Sequence, residues 1–129
     1  PVVEFLTALR AVATPEALDG ARIGGSAISL RLAPDELLLI GGGQLEISAD
    51  ADSILVADAG WAGAWLPAAA ADRFLRGACE WELPTDRPAF AQGMVAHLAA
   101  KLWFETDRTL IVVPRPMAAE LAERLDGVA

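Results

Sequence analysis

The chain has 129 residues, 54% hydrophobic and 22% charged, enough length and apolar content for a folded core rather than a disordered segment. Its net charge of −8 and ten scattered Lys and Arg leave no basic stripe for phosphates, so no nucleic-acid partner is expected. The single cysteine, Cys79, excludes an internal disulfide and a four-thiolate zinc site.

Val2, Leu6, Leu9 and Val12 recur at helical spacing with Glu4, Thr7 and Arg10 between them, which predicts an N-terminal helix. This stretch lacks the basic start and unbroken apolar run of a signal peptide, so a cytoplasmic chain is expected. Thr14-Pro15 reads as a cap and first-turn proline of a short helical turn ending at Gly20. Ile28, Leu30 and Leu32 alternate with Ser29 and Arg31, the pattern of a half-buried strand. Pro34-Asp35 supplies a turn, and "ELLLI" the returning strand, stopped by three glycines.

"SILVADA" and "WAGAWL" read as two further strands. The apolar stretch beginning at Ile54 carries Asp58, Gly60, Gly63 and Pro67, too broken for a membrane-spanning helix. Pro67 opens a helix with Ala70, Phe74 and Ala78 on one face and Arg73 and Arg76 outside it. Three apolar runs follow: "MVAHLA", "KLWFET" and "TLIVV", with a turn at "TDR". Pro116 then starts a last helix that stacks Met117, Leu121 and Leu125. The expected fold is α+β: one domain over 1–129, a mostly antiparallel sheet with helices packed on one face.

Candidate chemistry is sparse. Cys79 and His97 are the residues from which a thiol–imidazole pair would have to come. Cys79 follows a helix C-terminus and precedes Glu80 and Glu82, surroundings that disfavour a thiolate, so it reads as a structural thiol. In an alternating run, Met94, Ala96 and Leu98 face one way and Val95 and His97 the other, making His97 a strand histidine without metal partners. "GGGQLEI" lacks the lysine and hydroxyl of a phosphate loop and reads as a hairpin or loop. Asp50 and Asp52 lack the glycine and glutamate of a calcium loop and read as a solvated turn. No catalytic, cofactor-binding or metal-binding residue is assigned.

Trp61 and Trp65 share one face of an extended strand, and Trp103 faces out if Leu102 and Phe104 face in. Core packing and anchoring of a protein partner are both open readings of these tryptophans.

"LAPDELLL", Leu32 to Leu39, resembles the Leu-Gly-Pro-Asp-Glu-Trp-Leu-Leu hairpin of the sarcosine oxidase gamma subunit family. "LRGACEWEL" is similar to that family's Leu-x-x-Gly-Cys-x-x-Asp-Leu, with one extra residue before Cys79 and Glu82 in place of the aspartate. "VVPRPMAAELAERL", Val112 to Leu125, resembles its Val-Pro-Arg-Ser-Tyr-Ala-x-x-Leu, with Met117 where the family has tyrosine. The spacing through Phe90 and Gly93 agrees, and the gamma-like region is taken as 25–129, after an N-terminal helix and turn over 1–24.

The resemblance implies the aminomethyltransferase-like, folate-binding fold group and a non-catalytic accessory subunit of a hetero-oligomeric flavoenzyme. That enzyme would oxidatively demethylate sarcosine or a related N-methyl amine. FAD, FMN, NAD, tetrahydrofolate and zinc would then lie in the larger or other subunits, none in this chain. Alternatives are a free-standing folate-binding one-carbon domain, suggested by a faint likeness of "RGACEW" to a Lys-Gly-Cys-Tyr signature, and a small cysteine enzyme. Arg115 precedes a proline, so an extended backbone and an outward side chain are expected there. With Trp103 beside it as apolar anchor, Arg115 would dock on a carboxylate of the large subunit.

Overall fold

The computed structural model describes residues 1–128. In chain order the first elements are β1 (Glu4–Phe5), β2 (Ala8–Val12), α1 (Pro15–Asp19), β3 (Arg22–Gly25), β4 (Ile28–Ala33), β5 (Glu36–Ile40), β6 (Gly43–Glu46) and β7 (Ile54–Asp58). They are followed by β8 (Trp61–Pro67), α2 (Ala68–Ala78), β9 (Ala89–Val95), β10 (Leu98–Phe104), β11 (Arg108–Pro114), a 3-10 turn (Arg115–Met117) and α3 (Ala118–Arg124). Every ladder between described strands is antiparallel, so the class is α+β as expected. No helix among the described residues is long and apolar enough to cross a membrane.

The chain divides into two compact units, Leu6–Ala59 and Pro1–Phe5 with Gly60 onward. In the Leu6–Ala59 unit a four-stranded sheet runs β4-β5-β2-β7, and β3 pairs with β6 apart from it. The expected N-terminal helix is absent: β1 and β2 occupy its place. The reason is tertiary. β2 is flanked by β5 and β7, five paired positions on each side, which satisfies its backbone in a way that four apolar residues at helical spacing cannot outweigh. Val2, the first residue of the apparent helical stripe, is 73% exposed.

Thr14 caps α1 as its sequence position suggests, its side chain accepting a hydrogen bond from the Ala17 amide, with Pro15 in the first turn. Ala17 and Leu18 of this helix are buried with Ala11, Ala13 and Leu37. Arg31 fastens the helix to the β4–β5 turn. Its guanidinium donates to the Pro34 carbonyl, to the Pro15 carbonyl and to the Asp19 carboxylate, at 2.8 to 3.1 Å. The turn at Pro34-Asp35 falls where the sequence puts it, with a register shift between Arg31 and Ala33.

The other unit holds a five-stranded sheet in the order β1-β8-β11-β10-β9. Alternation turns Ala62, Ala64 and Leu66 of β8, Leu102 and Phe104 of β10, and Ile111 and Val113 of β11 toward one core. That core also contains Ala71 and Leu75 of α2 and Leu121 and Leu125, so α2 and α3 cover one face of this sheet, although the single sheet expected is instead three. Arg73 and Arg76 are exposed, whereas the most buried residues of α2 are Ala70, Ala71 and Leu75, with Phe74 and Ala78 only half-buried. The last helix is preceded by the 3-10 turn that contains Pro116, and Met117 is 38% exposed instead of stacking inward.

The run "MVAHLA" is a hairpin rather than one strand. Val95 pairs with Leu98, and Ala96 and His97 reverse the chain with φ of 48° and 67°. Two consecutive left-handed residues twist in the sense of the flanking strands, which is why a two-residue hairpin takes this form. Val95 and Leu98 therefore share the buried face, and His97 stands exposed at the tip. The tip is tied down by the Ala96 amide donating to Ala78 O at 2.9 Å and by Arg124 Nε donating to Ala96 O at 3.2 Å.

Candidate partner interface

On the face of the five-stranded sheet opposite α2 and α3, register aligns Trp65, Leu110, Trp103 and Phe90 across β8, β11, β10 and β9. Trp103 thus faces away from the core that holds Leu102 and Phe104, as alternation requires. The Arg108 guanidinium lies 3.7 Å from the centre of the Trp65 ring. Arg108 Nε donates to Glu105 Oε1 at 2.8 Å, and Trp103 Nε1 donates to Glu105 Oε2 at 2.9 Å. One carboxylate therefore accepts directly from the Trp103 indole and reaches the Trp65 indole through the Arg108 guanidinium.

Desolvation pushes the Glu105 carboxyl up, but the hydrogen bonds from Arg108 and Trp103 with the Arg108 charge outweigh it and hold the group below its ordinary range. Since the folded-state value is lowered, the contribution is full above the unfolded carboxyl's range and fades as pH falls through the folded value. Arg108 and Glu105 keep 49% and 29% of their side-chain surface exposed, whereas Trp65 and Trp103 are half-buried and Leu110 between them is buried, so the cluster presents a planar cation at the surface over two partly covered indoles.

Trp61 lies at the other end of β8, opposite Pro114, with Lys101 Nζ 5.0 Å from its ring centre. Arg115 follows Pro114. It begins the 3-10 turn, with its amide donating to Gly60 O at 2.7 Å, so the extended residue is Pro114 (φ −54°, ψ 139°) and not Arg115. The Arg115 guanidinium stacks 3.9 Å from the Phe5 ring centre. Trp103 does not lie beside Arg115 as expected: Trp103 is opposite Leu110, and the four residue steps from Leu110 to Pro114 span about 13 Å at the usual strand rise. The arginine joined to Trp103, through Glu105, is Arg108. The spacing of opposite charges at Glu105 and Arg108 across the "TDR" turn was the signal in the sequence.

Cys79 is the C-cap of α2, extended (φ −117°, ψ 133°), with its amide donating to Leu75 O at 2.9 Å. It is half-buried, packs against the core of its unit and lines a cleft of about 450 Å³ with Asp72, Arg76, Trp81, Thr85 and Arg87. Burial raises its thiol above the usual range, so little thiolate is present at neutral pH. His97 lines a different cleft, of about 580 Å³, with Phe74, Trp81, Met94 and Arg124. Trp81 borders both clefts, and its Nε1 donates to Met94 O at 2.8 Å.

Cys79→Ala is expected to lower stability by only about 1 kcal/mol. Labelling of Cys79 by a thiol reagent at pH 7 should be slower than that of free cysteine and accelerate as pH rises, read by mass spectrometry. Stoichiometric labelling within seconds at pH 7 would instead mark an activated nucleophile.

Asp50 and Asp52 form a turn. Asp50 Oδ1 accepts from the Asp52 amide at 2.9 Å and its Oδ2 from the Thr14 amide at 3.0 Å. Gly43 begins β6, so the triple glycine leads into a strand paired with β3. Among the described residues no three His, Cys, Asp or Glu side chains cluster as a metal site requires. No family model, curated protein or solved structure matches this chain.

Proposed function

We propose that this chain is an accessory subunit, without catalytic residues of its own, of a multi-subunit flavin-dependent oxidase acting on sarcosine or a related N-methyl amine. The larger subunits would carry the FAD, FMN, NAD, tetrahydrofolate and zinc. The three motif likenesses set out from the sequence motivate the assignment. They fall on structured pieces of the chain: the β4–β5 hairpin, the end of α2 with Cys79, and β11 with the turn and helix after it.

The observation that carries a partner-binding role is the Trp65–Arg108–Glu105–Trp103 cluster. Tryptophan and arginine are the residue types that most often dominate binding energy, each worth about 2 kcal/mol or more when central to an interface. The test is co-purification with a large flavoprotein subunit of such an oxidase. Trp103→Ala with Arg108→Ala should leave the isolated chain folded, by amide dispersion in NMR, yet lower its recovery with the partner at least about tenfold. Recovery at normal stoichiometry sinks the interface. Calorimetric heat on adding tetrahydrofolate to the isolated chain would replace the accessory role with folate binding.

A further inference from the structure

Sheet edges invite a further strand unless something blocks them, and five of the six edges among the described strands are blocked. β1 has only two residues. β9 has its Met94 carbonyl occupied by the Trp81 indole, and the amide of Ala96 just beyond it is taken by Ala78 O. β4 is interrupted by the register shift after Arg31, and β3 and β6 are four-residue strands with glycine at their paired ends.

β7 has none of these protections. It forms one edge of the four-stranded sheet, pairs with β2 without a bulge over five positions, and contains no Lys, Arg or Pro. Ile54, Leu55 and Val56 are 56%, 45% and 49% exposed. Because successive side chains alternate, Ile54 and Val56 are open on one face of the pleat and Leu55 and Ala57 on the other. A helix or flat surface laid on the sheet covers only one of those sets. A strand added at the edge covers both, because its own side chains also alternate, and it satisfies the outward backbone groups.

The charges around β7 select the occupant. Asp50 and Asp52 precede the strand and Asp58 ends it, in a chain of net charge −8. A second copy pairing antiparallel through β7 would bring Asp52 of each copy toward Asp58 of the other, a like-charge arrangement that costs free energy. An apolar strand flanked by Lys or Arg meets Asp50 and Asp52 at one end and, at the other, Asp58, whose charge also acts on Arg10 of β2, so the stronger attraction is at the Asp52 end. We infer that β7 is the docking edge for an extended segment of a partner protein, apolar over about four residues and flanked by basic residues. The inference rests on this edge alone and is independent of the oxidase assignment.

The probes are two blocked synthetic peptides, Lys-Lys-Val-Ile-Val-Ile-Lys-Lys and its counterpart with Glu for every Lys, titrated into the full ¹⁵N-labelled chain. The basic peptide should shift and protect the amides of Ile54 to Ala57, the acidic one should not, and binding should weaken with added salt. Val56→Lys and, on the opposite face of the strand, Leu55→Lys should each weaken the basic peptide at least about tenfold while keeping native amide dispersion. Asp52→Lys should narrow the preference between the two peptides. Equal binding of both peptides, shifts centred elsewhere, or unchanged affinity in both lysine variants overturns the inference. A dimer of the free chain in sedimentation, lost in Val56→Lys, also overturns it by making a second copy the occupant.

Discussion

Phe104→Ala is expected to cost about 3–5 kcal/mol, the range for removing a buried aromatic side chain, and is the most damaging of the substitutions considered. Phe104 is 1% exposed in β10, opposite Ala89 and Thr109, and belongs to the core shared with Leu75 of α2 and Leu121 of α3. Its loss opens a void between sheet and helices that neither can fill without leaving its ladder or rotamer. The ring also supports the Arg87 guanidinium, 4.6 Å from its centre, and Arg87 Nη1 in turn donates to the carbonyls of Pro84 and Asp86. The loop after Cys79 therefore loses an anchor together with the core. Urea unfolding checks this, through a lower midpoint at unchanged slope. A loss under about 1 kcal/mol would contradict the packing described. Arg87→Ala separates the two contributions: it should loosen the loop, by faster amide exchange over 82–88, with about 1 kcal/mol or less of global cost.

Gly93→Ala should cost about 2–3 kcal/mol although it adds a single methyl group. A Cβ at position 93 would lie 2.8 Å from Cε2, 2.9 Å from Cζ2 and 3.0 Å from Nε1 of Trp81. The indole must move, and its 2.8 Å hydrogen bond to Met94 O is then stretched or broken. Overpacking contributes about 1–3 kcal/mol, and the lost hydrogen bond about 1 kcal/mol. The diagnostic is a double-mutant cycle. In a Trp81→Ala background the clash is gone, so Gly93→Ala should become neutral or stabilising by about 0.5–1 kcal/mol, since alanine loses less entropy than glycine in a strand. Additive costs in thermal unfolding would show that the ring does not lie against position 93.

Both predictions depend on contacts between residues distant in sequence, which separates what could be read in advance from what could not. Local chemistry was legible. Thr14-Pro15 set the start of α1, Pro34-Asp35 the β4–β5 turn, and Pro67 the entry to α2. Alternation in "KLWFE" was enough to place Trp103 on the face opposite Leu102 and Phe104. The N-terminal strands were not legible, because β2 owes its conformation to partners found more than twenty residues later. The Ala96-His97 turn carries no glycine or asparagine, the residues that usually announce a left-handed pair, so an apolar alternation ran straight through it. At the candidate interface, the tryptophans could be named from spacing. The choice of Arg108 over Arg115 needed the register of β10 against β11.

Arg31 carries a consequence for how sequences of this kind can diverge. Its fork donates to two backbone carbonyls, of Pro15 and Pro34, and to one side chain, that of Asp19. Every amino acid offers a carbonyl, so the first two contacts place no demand on which residues stand at those positions, only on the path the chain takes there. The third ties the identities of positions 19 and 31 together. In relatives of this chain, substitution at one should be accompanied by substitution at the other, and lysine should be a poor substitute at 31, since a single ammonium cannot reach three acceptors in the planar spread that a guanidinium spans. Drift elsewhere in the hairpin and in α1 would leave the tie intact.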